Sequence, residues 1–559
     1  MRRQIAARTG TRSRCAGLIA AGLALLCAAI AISVPRTRAE AGPAFALSPV
    51  VRALPGSGAG DATVQDLCGA AAGDQVPDGR PIQVSLPPAP PMTVGEITGR
   101  MWRQPPVKDP AWLLNFQGLR WIPPLARRAA ADGQFHSLTA LIRQAVGFHL
   151  ANPDPGDNSA GWDEGTALRR LQTENCLYAL THAAALIPGM TSDVAVLTGK
   201  RYAGPPRLPV HNHGLMANIH LINAGKVLNR PEWITLAADR LVSEAPQAFS
   251  AKGISFEQSS SYHHVNVALW DSAGRILADL PAYAAQGLQI RTLARKAARI
   301  QGYLTEPDGK LVQVGDSDLA EGHQGHPEDP KVLRDDETGW VIGRTSWTDP
   351  QAVYYTVRYG PDRRAHGQED RAGGVTWTAA GTRVLVGLGH YGYNAQDPGG
   401  NYHHTPTSQN VAAPPDPQIR KGRTSTIDTD FGKTEHRLTV CDNVYGMLHD
   451  RRIRVDQRLP GLAVTDAFGD VPVWSQNWHL DPAWKLVAGK VGDANLTFRH
   501  PSGRTLTVST SGRVSGIWIG DPSRPYGWVF PALGKRTPAY QLSVESRDGA
   551  PVATRFRVT

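Results

Sequence analysis

The chain is poor in the residues that build disulfide-rich, metal-clustered or nucleic-acid-binding proteins. It has five cysteines in 559 residues, and none has the spacing of a metal-binding pair. Charged residues make up only 19% of the chain, and no lysine and arginine run beyond the first 41 residues indicates a nucleic-acid partner. No repeat of fixed period is found, which argues against a regular solenoid. The 41% hydrophobic content instead predicts a folded protein of two or three domains.

Long apolar runs are also scarce, and the one that stands out lies near the amino terminus. Five arginines precede the uncharged run 16–34, and Ala39-Glu40-Ala41 follows it with the small residues typical of a signal-peptidase site. This order predicts a signal peptide over residues 1–41, cleaved after Ala41, and a secreted protein without stable membrane insertion. An uncleaved anchor is the alternative, because the run approaches the length that spans a bilayer.

Removal of this segment changes both the charge and the cysteine count. Its seven arginines and one glutamate contribute +6 of the net +10, so +4 remains on the rest of the chain. A mildly basic surface is compatible with an acidic polymer as partner but does not require one. The cysteines that remain, Cys68, Cys176 and Cys441, allow one internal disulfide at most, so packing must supply most of the stability.

Composition and periodicity divide the rest of the chain into three segments. Residues 42–95 are rich in glycine, alanine and proline and predict a loosely structured lead-in. Residues 96–335 show helical periodicity, as in Ser137–Phe148 and Thr292–Leu304, and predict an all-α superhelix or toroid. Residues 336–559 carry many short, largely alternating runs divided by turns, which predict an antiparallel β-sandwich. The predicted fold class is therefore multidomain α+β, with a cleft between the two domains.

One polar cluster lies just ahead of a predicted β-hairpin. His366-Gly-Gln-Glu-Asp370 is followed by two β-rich runs within residues 373–389, separated by Ala379-Ala-Gly381. This pattern predicts that His366 is held at the edge of a sheet. A single histidine in that position is more often structural than functional, so the hypothesis of a functional site depends on other motifs.

Six short polar motifs follow one another in order, with helical segments first and strands after. They are Gly161-Trp-Asp-Glu-Gly165 with Arg169, His211-Asn-His-Gly214, Phe256-Glu-Gln-Ser-Ser-Ser-Tyr-His263, Gly315-Asp-Ser-Asp318, His366-Gly-Gln-Glu-Asp370 and Gln476-Asn-Trp-His-Leu480. With these motifs the chain, from about Trp112 to its end, resembles the heparinase II/III-like polysaccharide lyases. The resemblance implies an (α/α) toroid followed by an antiparallel β-sandwich. It also implies that an anionic, uronate-containing polysaccharide is cleaved by β-elimination.

The resemblance further implies a division of catalytic labour. Asn212 and His213 match the residues that bind the uronate carboxylate and thereby stabilise an enolate-like transition state. Tyr262 matches the tyrosine that protonates the C4 leaving oxygen and, in syn elimination, also removes the C5 proton. His366 matches the histidine that acts as base in anti elimination. The helical domain would supply three of these four residues and the β domain the fourth.

Three further residues are candidates for substrate binding: Arg169, Glu257 and His263. Arg169 and Glu257 could instead orient catalytic groups, or form a buried ion pair between helices. His263 could be an ordinary surface residue. Structural roles are also the alternative for Asn212, as a helix N-cap, and for Tyr262, as an interface tyrosine with a wet hydroxyl.

Some members of the family hold a structural zinc with two histidines and one aspartate. The corresponding positions here are Gln368, Gly387 and Gln409. Glutamine is a poor zinc ligand and glycine has no side chain, so we expect neither zinc nor another cofactor. Hydrogen bonds between the two amides are expected to take its place.

Two other classes of function stay open. A non-catalytic carbohydrate-binding protein could keep the cleft, although binding alone needs neither an acid nor a base. A glycoside hydrolase on a similar toroid would need two carboxylates across the cleft. Five carboxylates are available for such a pair: Asp163, Glu164, Glu257, Asp316 and Asp318. The motifs specify neither the uronate polymer nor the oligomeric state.

Overall fold

The computed structural model divides into a helical half and a β half. It describes residues 67–69, 81–86, 88–156, 158–199, 210–362, 365–366, 368–394 and 397–559. The predicted signal peptide over residues 1–41 and most of the predicted lead-in lie outside these residues. Within the described part of the chain, no helix is both long enough and apolar enough to span a bilayer.

The helical half consists of paired helices joined by short connections. They are α1 (Gly99–Arg103), α2 (Pro110–Gln117), α3 (Ile122–Ala131), α4 (Phe135–Ala151), α5 (Glu164–Thr181), α6 (Ile187–Thr198), α7 (Asn212–Val227), α8 (Pro231–Glu244), α9 (Ser260–Ala278) and α10 (Ala284–Ala298). Helix α7 packs against both α5 and α9, and each of these three also packs against the helix that follows it. Helices α5 and α7 are buried over most of their length, which makes this row the inner wall of the predicted toroid.

The last helix pair shows why the predicted start of its second helix was wrong. Helix α10 begins at Ala284, eight residues before the predicted Thr292. Gly287 lowers helix propensity in this first turn, which hid the helix in the sequence pattern. The structure needs glycine there, because a Cβ atom on Gly287 would lie 2.4 Å from the backbone nitrogen of Ala278 in α9. Close packing of the two helices therefore outweighs the local cost of glycine.

The end of the predicted lead-in is more ordered than expected. Two short strands, β1 (Gln83–Val84) and β2 (Met92–Thr93), pair with each other. The indole of Trp112 in α2 donates a 2.7 Å hydrogen bond to the carbonyl of Leu86, which ties this segment to the toroid. A disulfide between Cys68 and Cys176 joins the same region to the inner helix α5.

The β half contains nineteen strands among the described residues. They are β3 (Val332–Asp335), β4 (Trp340–Arg344), β5 (Tyr354–Arg358), β6 (Gly374–Ala379), β7 (Thr382–Leu385), β8 (Ala412–Ala413), β9 (Ser425–Phe431), β10 (Glu435–Asp442), β11 (His449–Asp456), β12 (Gly461–Phe468), β13 (Trp474–His479), β14 (Lys485–Ala488), β15 (Asn495–Arg499), β16 (Thr505–Thr510), β17 (Arg513–Ile519), β18 (Trp528–Ala532), β19 (Lys535–Pro538), β20 (Tyr540–Ser546) and β21 (Val552–Val558). A short helix, α11 (Pro398–Tyr402), precedes β8.

These strands form antiparallel sheets around one large core. The eight-stranded sheet has the order β14-β15-β16-β21-β12-β11-β10-β9, and it faces a four-stranded sheet, β17-β20-β13-β8, and a five-stranded sheet, β3-β4-β5-β6-β7. Strands β18 and β19 form a separate pair. The sandwich prediction is confirmed, including the hairpin β6–β7 with Ala380 and Gly381 in the left-handed turn conformation. The predicted boundary at residue 335 falls inside the β3–β4 hairpin, because the sheet already begins at Val332.

The five-stranded sheet is the layer that joins the two halves. Its strands β4, β5 and β6 are buried on both faces, so their side chains lack a solvent-facing row. One face packs on the sandwich core, and the other packs Trp340 and Ile342 against Ile300 and Leu304 of the toroid. The side-chain amide of Gln258 also donates a 2.8 Å hydrogen bond to the carbonyl of Thr338. A buried interface thus fixes how the two halves sit against each other.

Candidate active site

Three inner helices begin at the same place, facing the β domain. Asp163, His211 and Ser259 are the N-caps of α5, α7 and α9, and each accepts a hydrogen bond from a backbone N–H of the first turn. Helix amino termini carry unpaired N–H groups and the positive end of the helix dipole. Their convergence therefore favours an anionic group in the cleft.

Asn212 is held in place by a buried glutamate. Its backbone N–H and its side-chain Nδ2 donate to the two carboxylate oxygens of Glu257, at 2.8 and 2.7 Å. Asn266 donates to the same carboxylate at 2.8 Å. Asn212 is therefore the first helical residue of α7 rather than its cap, which is His211. Glu257 is 2% exposed and fixes the orientation of Asn212 instead of contacting solvent.

His366 bridges the two domains between two carboxylates. Its Nε2 donates to Glu257 at 2.9 Å and its Nδ1 donates to Asp316 at 3.2 Å. Burial disfavours the imidazolium, but hydrogen bonds to Asp316 and Glu257 outweigh it and raise the pKa of His366. Burial likewise opposes ionisation of Glu257 and Asp316, yet the hydrogen bonds from His366 lower the pKa of both. With a carboxylate oxygen at each ring nitrogen, this arrangement favours the imidazolium form of His366.

Tyr262 lies on His366 and points at a second tyrosine. The two rings stack with centroids 3.4 Å apart, and the hydroxyl of Tyr262 is 2.9 Å from the hydroxyl of Tyr393. Burial raises the pKa of Tyr262, the hydrogen bond with Tyr393 lowers it, and the nearby carboxylates raise it further. The resting side chain is therefore a neutral phenol. A cation against an aromatic face is an attractive arrangement.

Arg169 lies beside this pair without an acidic partner among the described residues. Its guanidinium makes one long hydrogen bond, 3.5 Å to the side chain of Gln172, and interacts electrostatically with Tyr262. Burial and the neighbouring Arg120 lower the pKa of Arg169 to about 10. The alternative of a buried ion pair between helices is thus not what the structure shows. A positive charge near the Tyr262 hydroxyl stabilises its phenolate form.

His213 is the most accessible of the predicted catalytic residues. Its side chain is 36% exposed, and its Nδ1 lies 3.4 Å from a carboxylate oxygen of Glu164. The hydrogen bond with His213 lowers the pKa of Glu164 to about 2. Burial and the charge of Glu164 raise the pKa of the adjacent Asp163 to about 6. Asp163 and Glu164 are neighbours on one helix end rather than groups on opposite sides of a cleft.

The predicted substrate-binding role of His263 is wrong. The residue is 1% exposed, its Nε2 donates to the carbonyl of Ala297 at 3.0 Å, and its Nδ1 accepts from the backbone N–H of Ser255. A step of one residue turns a helical side chain by about 100°, so His263 faces away from the cleft that Tyr262 faces. It supports the turn before α9.

Two contributors to the site were not predicted. Tyr393, which touches Tyr262, lies in no motif and follows no periodic pattern. Asn266 stands four residues after Tyr262 on α9, so helical spacing could have indicated that it shares the face of Tyr262. His479 of the Gln476–Leu480 motif is buried in β13, with its Nε2 3.1 Å from the carbonyl of Thr407.

The position that holds zinc in some relatives is unsuited to it here. The side chains of Gln368 and Gln409 hydrogen-bond to each other at 3.3 Å, as expected for amides in place of ligands. Gln368 also donates to Asp316 at 3.0 Å. A Cβ atom on Gly387 would lie 1.7 Å from the carbonyl oxygen of Gln313, so a ligand side chain has no room.

Comparison with known proteins identifies the fold. No protein-family model and no curated protein matches the sequence. Among solved structures, a heparinase III superposes with a TM-score of 0.68 at 14% identity, covering 82% of this chain and 78% of that one. A heparan sulfate lyase from Pedobacter heparinus gives 0.57 at 15% identity, over 91% and 84% of the two chains. A chondroitin AC lyase from Streptomyces coelicolor, bound to chondroitin sulphate, gives 0.50 at 12%, over 82% and 78%. The chain shares their fold, a helical toroid followed by a β-sandwich.

Proposed function

We propose that this protein is a polysaccharide lyase that cleaves a uronate-containing, anionic polysaccharide by β-elimination. One observation carries the proposal. Tyr262, stacked on the carboxylate-bonded His366, and Asn212, fixed by Glu257, meet at the amino-terminal ends of inner helices. The fold shared with heparan sulfate and chondroitin lyases supports the same conclusion.

The first task is to stabilise the charge that develops on the sugar. Loss of the C5 proton from a uronate builds negative charge onto a group that is already a carboxylate. Asn212, through the Nδ2 hydrogen that does not bond to Glu257, and His213, through its ring Nε2, would donate hydrogen bonds to that carboxylate. Their donors are held in place before the reaction, which is the condition for strong stabilisation of a transition state. The partly exposed His213 is accessible to the sugar.

The second task is proton transfer, and we assign both steps to Tyr262. The C5–H and C4–O bonds break and a C4=C5 double bond forms. The phenol of Tyr262 gives its own proton to the leaving oxygen and takes up the C5 proton, so it ends as a neutral phenol again. Arg169 and His366 would stabilise the transient phenolate of Tyr262 by their positive charges. Both ring nitrogens of His366 face carboxylates and its pKa is raised, so it is poorly suited to accept the C5 proton. This arrangement supports syn elimination over the anti path in which His366 is the base.

The carboxylates fit a glycoside hydrolase poorly. Glu257 and Asp316 are both occupied by His366, and Asp163 and Glu164 stand side by side at one helix end. A hydrolase needs one carboxylic acid and one free carboxylate on opposite sides of the scissile bond. None of these carboxylates forms such a pair.

The direct test is a panel of anionic polysaccharides: heparan-, chondroitin- and hyaluronan-type chains, alginate and glucuronan. We expect at least one to yield the ultraviolet absorbance of a conjugated, unsaturated uronate. New reducing ends without that absorbance would indicate hydrolysis. Retention of a polymer without cleavage, identical in the Tyr262→Phe variant, would indicate a binding protein. Either result would contradict the proposal.

We also propose that the chain is exported. The basic start, the apolar run 16–34 and the small residues around Glu40 support a cleaved signal peptide. Amino-terminal sequencing of protein from the culture medium should begin at Gly42. A full-length protein recovered from the membrane fraction would contradict this and favour an anchor.

A further inference from the structure

A cluster of potential metal ligands adjoins the candidate active site. Asp316, His403 and His404 each present one ligand atom, and these three atoms lie within 4.8 Å of one another. Asp316 belongs to the segment that approaches His366, and the two histidines follow helix α11. The cluster therefore adjoins the site without containing the residues proposed to touch the sugar.

His403 has the tautomer and orientation of a metal ligand. It is completely buried, and its Nδ1 lies 3.3 Å from the carbonyl of Gly399, which places the ring proton on that nitrogen. Its Nε2 has no hydrogen-bond partner among the described residues and lies 3.7 Å from an oxygen of Asp316. A buried polar atom left without a partner costs about 1–3 kcal/mol, so such atoms call for an explanation.

A second buried histidine, His390, lies next to His403. His390 is 7% exposed, and neither of its ring nitrogens has a hydrogen-bond partner within the described chain. Its ring centroid is 6.0 Å from that of His403. Three buried imidazole nitrogens without partners thus lie close to one carboxylate.

We propose that Asp316, His403 and His404 bind a divalent transition metal, with zinc as the best match. Two imidazole nitrogens and one carboxylate oxygen are a common zinc ligand set, and three protein ligands leave a fourth position for water. Donor atoms of a tetrahedral zinc site are separated by roughly 3.3 Å, so the 3.7 Å gap closes with a small shift. The Gly399 carbonyl and the Gln368 amide, which hydrogen-bond to two of the ligands, would orient them.

Another cluster of potential metal ligands differs because an arginine already pairs with its carboxylate. His149, Glu174 and Asp193 also bring three donor atoms together. There, however, Arg170 makes an ion pair with both oxygens of Asp193 and already supplies a cation. Among the ion pairs of the described residues, Asp316 has only histidine partners. This site shares no residue with Gln368, Gly387 and Gln409, the positions at which no zinc is expected.

The test measures binding directly and does not depend on lyase activity. The full chain is stripped with a chelator and titrated with Zn²⁺ by calorimetry, and with Co²⁺ by visible absorption, which reports tetrahedral coordination. We expect one metal per chain. His404→Gln, a change at a half-buried position, should weaken binding by more than the 10–100-fold typical of losing an outer-shell group. His326→Gln, at an exposed histidine elsewhere, is the matched control and should bind as the parent does.

The second variant of the metal-binding experiment changes the buried His403. His403→Gln should abolish the cobalt spectrum, and circular dichroism checks that the variant is folded. Equal zinc affinity in the parent, His404→Gln and His326→Gln would overturn the proposal, whether or not His403→Gln folds. Absence of zinc binding and of a tetrahedral cobalt spectrum in the stripped parent chain would overturn it as well.

Discussion

Two histidines of this protein are held in nearly the same way, one in the cleft and one inside the β-sandwich. His366 donates to Glu257 and Asp316 and stacks on Tyr262. In the sandwich, His449 lies between two aspartates, with Nδ1 2.7 Å from Asp442 and Nε2 2.8 Å from Asp466. The ring of His449 stacks on Phe468 with centroids 4.2 Å apart.

The two arrangements differ in what surrounds them. His449 is fully buried, both of its carboxylates belong to the eight-stranded sheet, and its aromatic neighbour has no hydroxyl. The side chain of His366 is 10% exposed, its partners come from the other half of the chain, and its aromatic neighbour is a phenol. A carboxylate–histidine–carboxylate group is therefore not by itself a sign of catalysis. Access to the cleft and a proton-carrying neighbour make the difference.

The largest expected effect comes from removing the hydroxyl of Tyr262. His366 would then stack on a plain aromatic ring, as His449 does on Phe468. Tyr262→Phe keeps the ring on His366 and removes only the hydroxyl. Turnover should fall by about 10²–10⁴-fold, the usual range for loss of general acid–base help, with little change in substrate binding. The measurement is the rate of unsaturated uronate formation on the polymer found active. Tyr283→Phe, which removes an exposed hydroxyl bonded to Asp239, is the control. Near-full activity of Tyr262→Phe would refute the assignment of Tyr262.

The second-largest effect is expected on stability, from substitution of His449 between Asp442 and Asp466. His449→Gln leaves two buried aspartates without their shared cation. We expect the free energy of unfolding to fall by about 3–5 kcal/mol, as for other broken buried charge pairs. Urea denaturation measures it, and His136→Gln, at an exposed helical position, should change stability little. A loss no greater than in that control would mean that Arg451, which also contacts Asp466, suffices.

The third prediction concerns pH. Burial alone would lower the pKa of His449, but Asp442 and Asp466 raise it to about 9, above the ordinary 6.5. A raised pKa in the folded state contributes stability that is fully present below the ordinary pKa and is lost as pH rises through about 9. Denaturation curves between about pH 6 and about pH 10 should show this loss in the parent and not in His449→Gln. Parallel pH profiles of the two proteins would contradict the prediction.

The smallest expected effect concerns the second tyrosine of the cleft. Tyr393→Phe removes one hydrogen bond from the hydroxyl of Tyr262 and leaves His366 untouched. A single hydrogen bond contributes about 0.5–1.5 kcal/mol, so turnover should fall by about two- to tenfold. The pH profile of turnover should also shift, because the Tyr262 phenol loses the partner that lowers its pKa. A loss as large as that of Tyr262→Phe would instead place Tyr393 in direct proton transfer.

Local sequence patterns predicted the fold class and the turn near His366. The apolar stripe of α4 and the alternation in β10 and β11 led to the correct fold class, and the turn at Ala380 and Gly381 placed His366 beside a sheet. The buried strands β4 to β6 have no polar row because both of their faces are covered, which only the assembled domains impose.

The site itself was predictable as motifs but not as contacts. His366 meets Glu257 across 109 residues and Asp316 across 50, and Tyr262 meets Tyr393 across 131. No periodicity relates such positions, so the role of Glu257 as an anchor rather than a substrate ligand required the structure. The motif that predicted Tyr262 as a site residue also predicted its neighbour His263, which faces the other way.

The disulfide between Cys68 and Cys176 makes the stability of this protein depend on the redox state of its surroundings. It joins residues 108 positions apart and closes a loop that ends within α5, the helix that begins at Glu164. A loop of that length removes unfolded-chain entropy equivalent to about 4–5 kcal/mol. We therefore expect the free energy of unfolding to be lower when the disulfide is reduced than when it is formed. Unfolding midpoints with and without reductant measure that difference, and equal midpoints would show that the bond adds no stability.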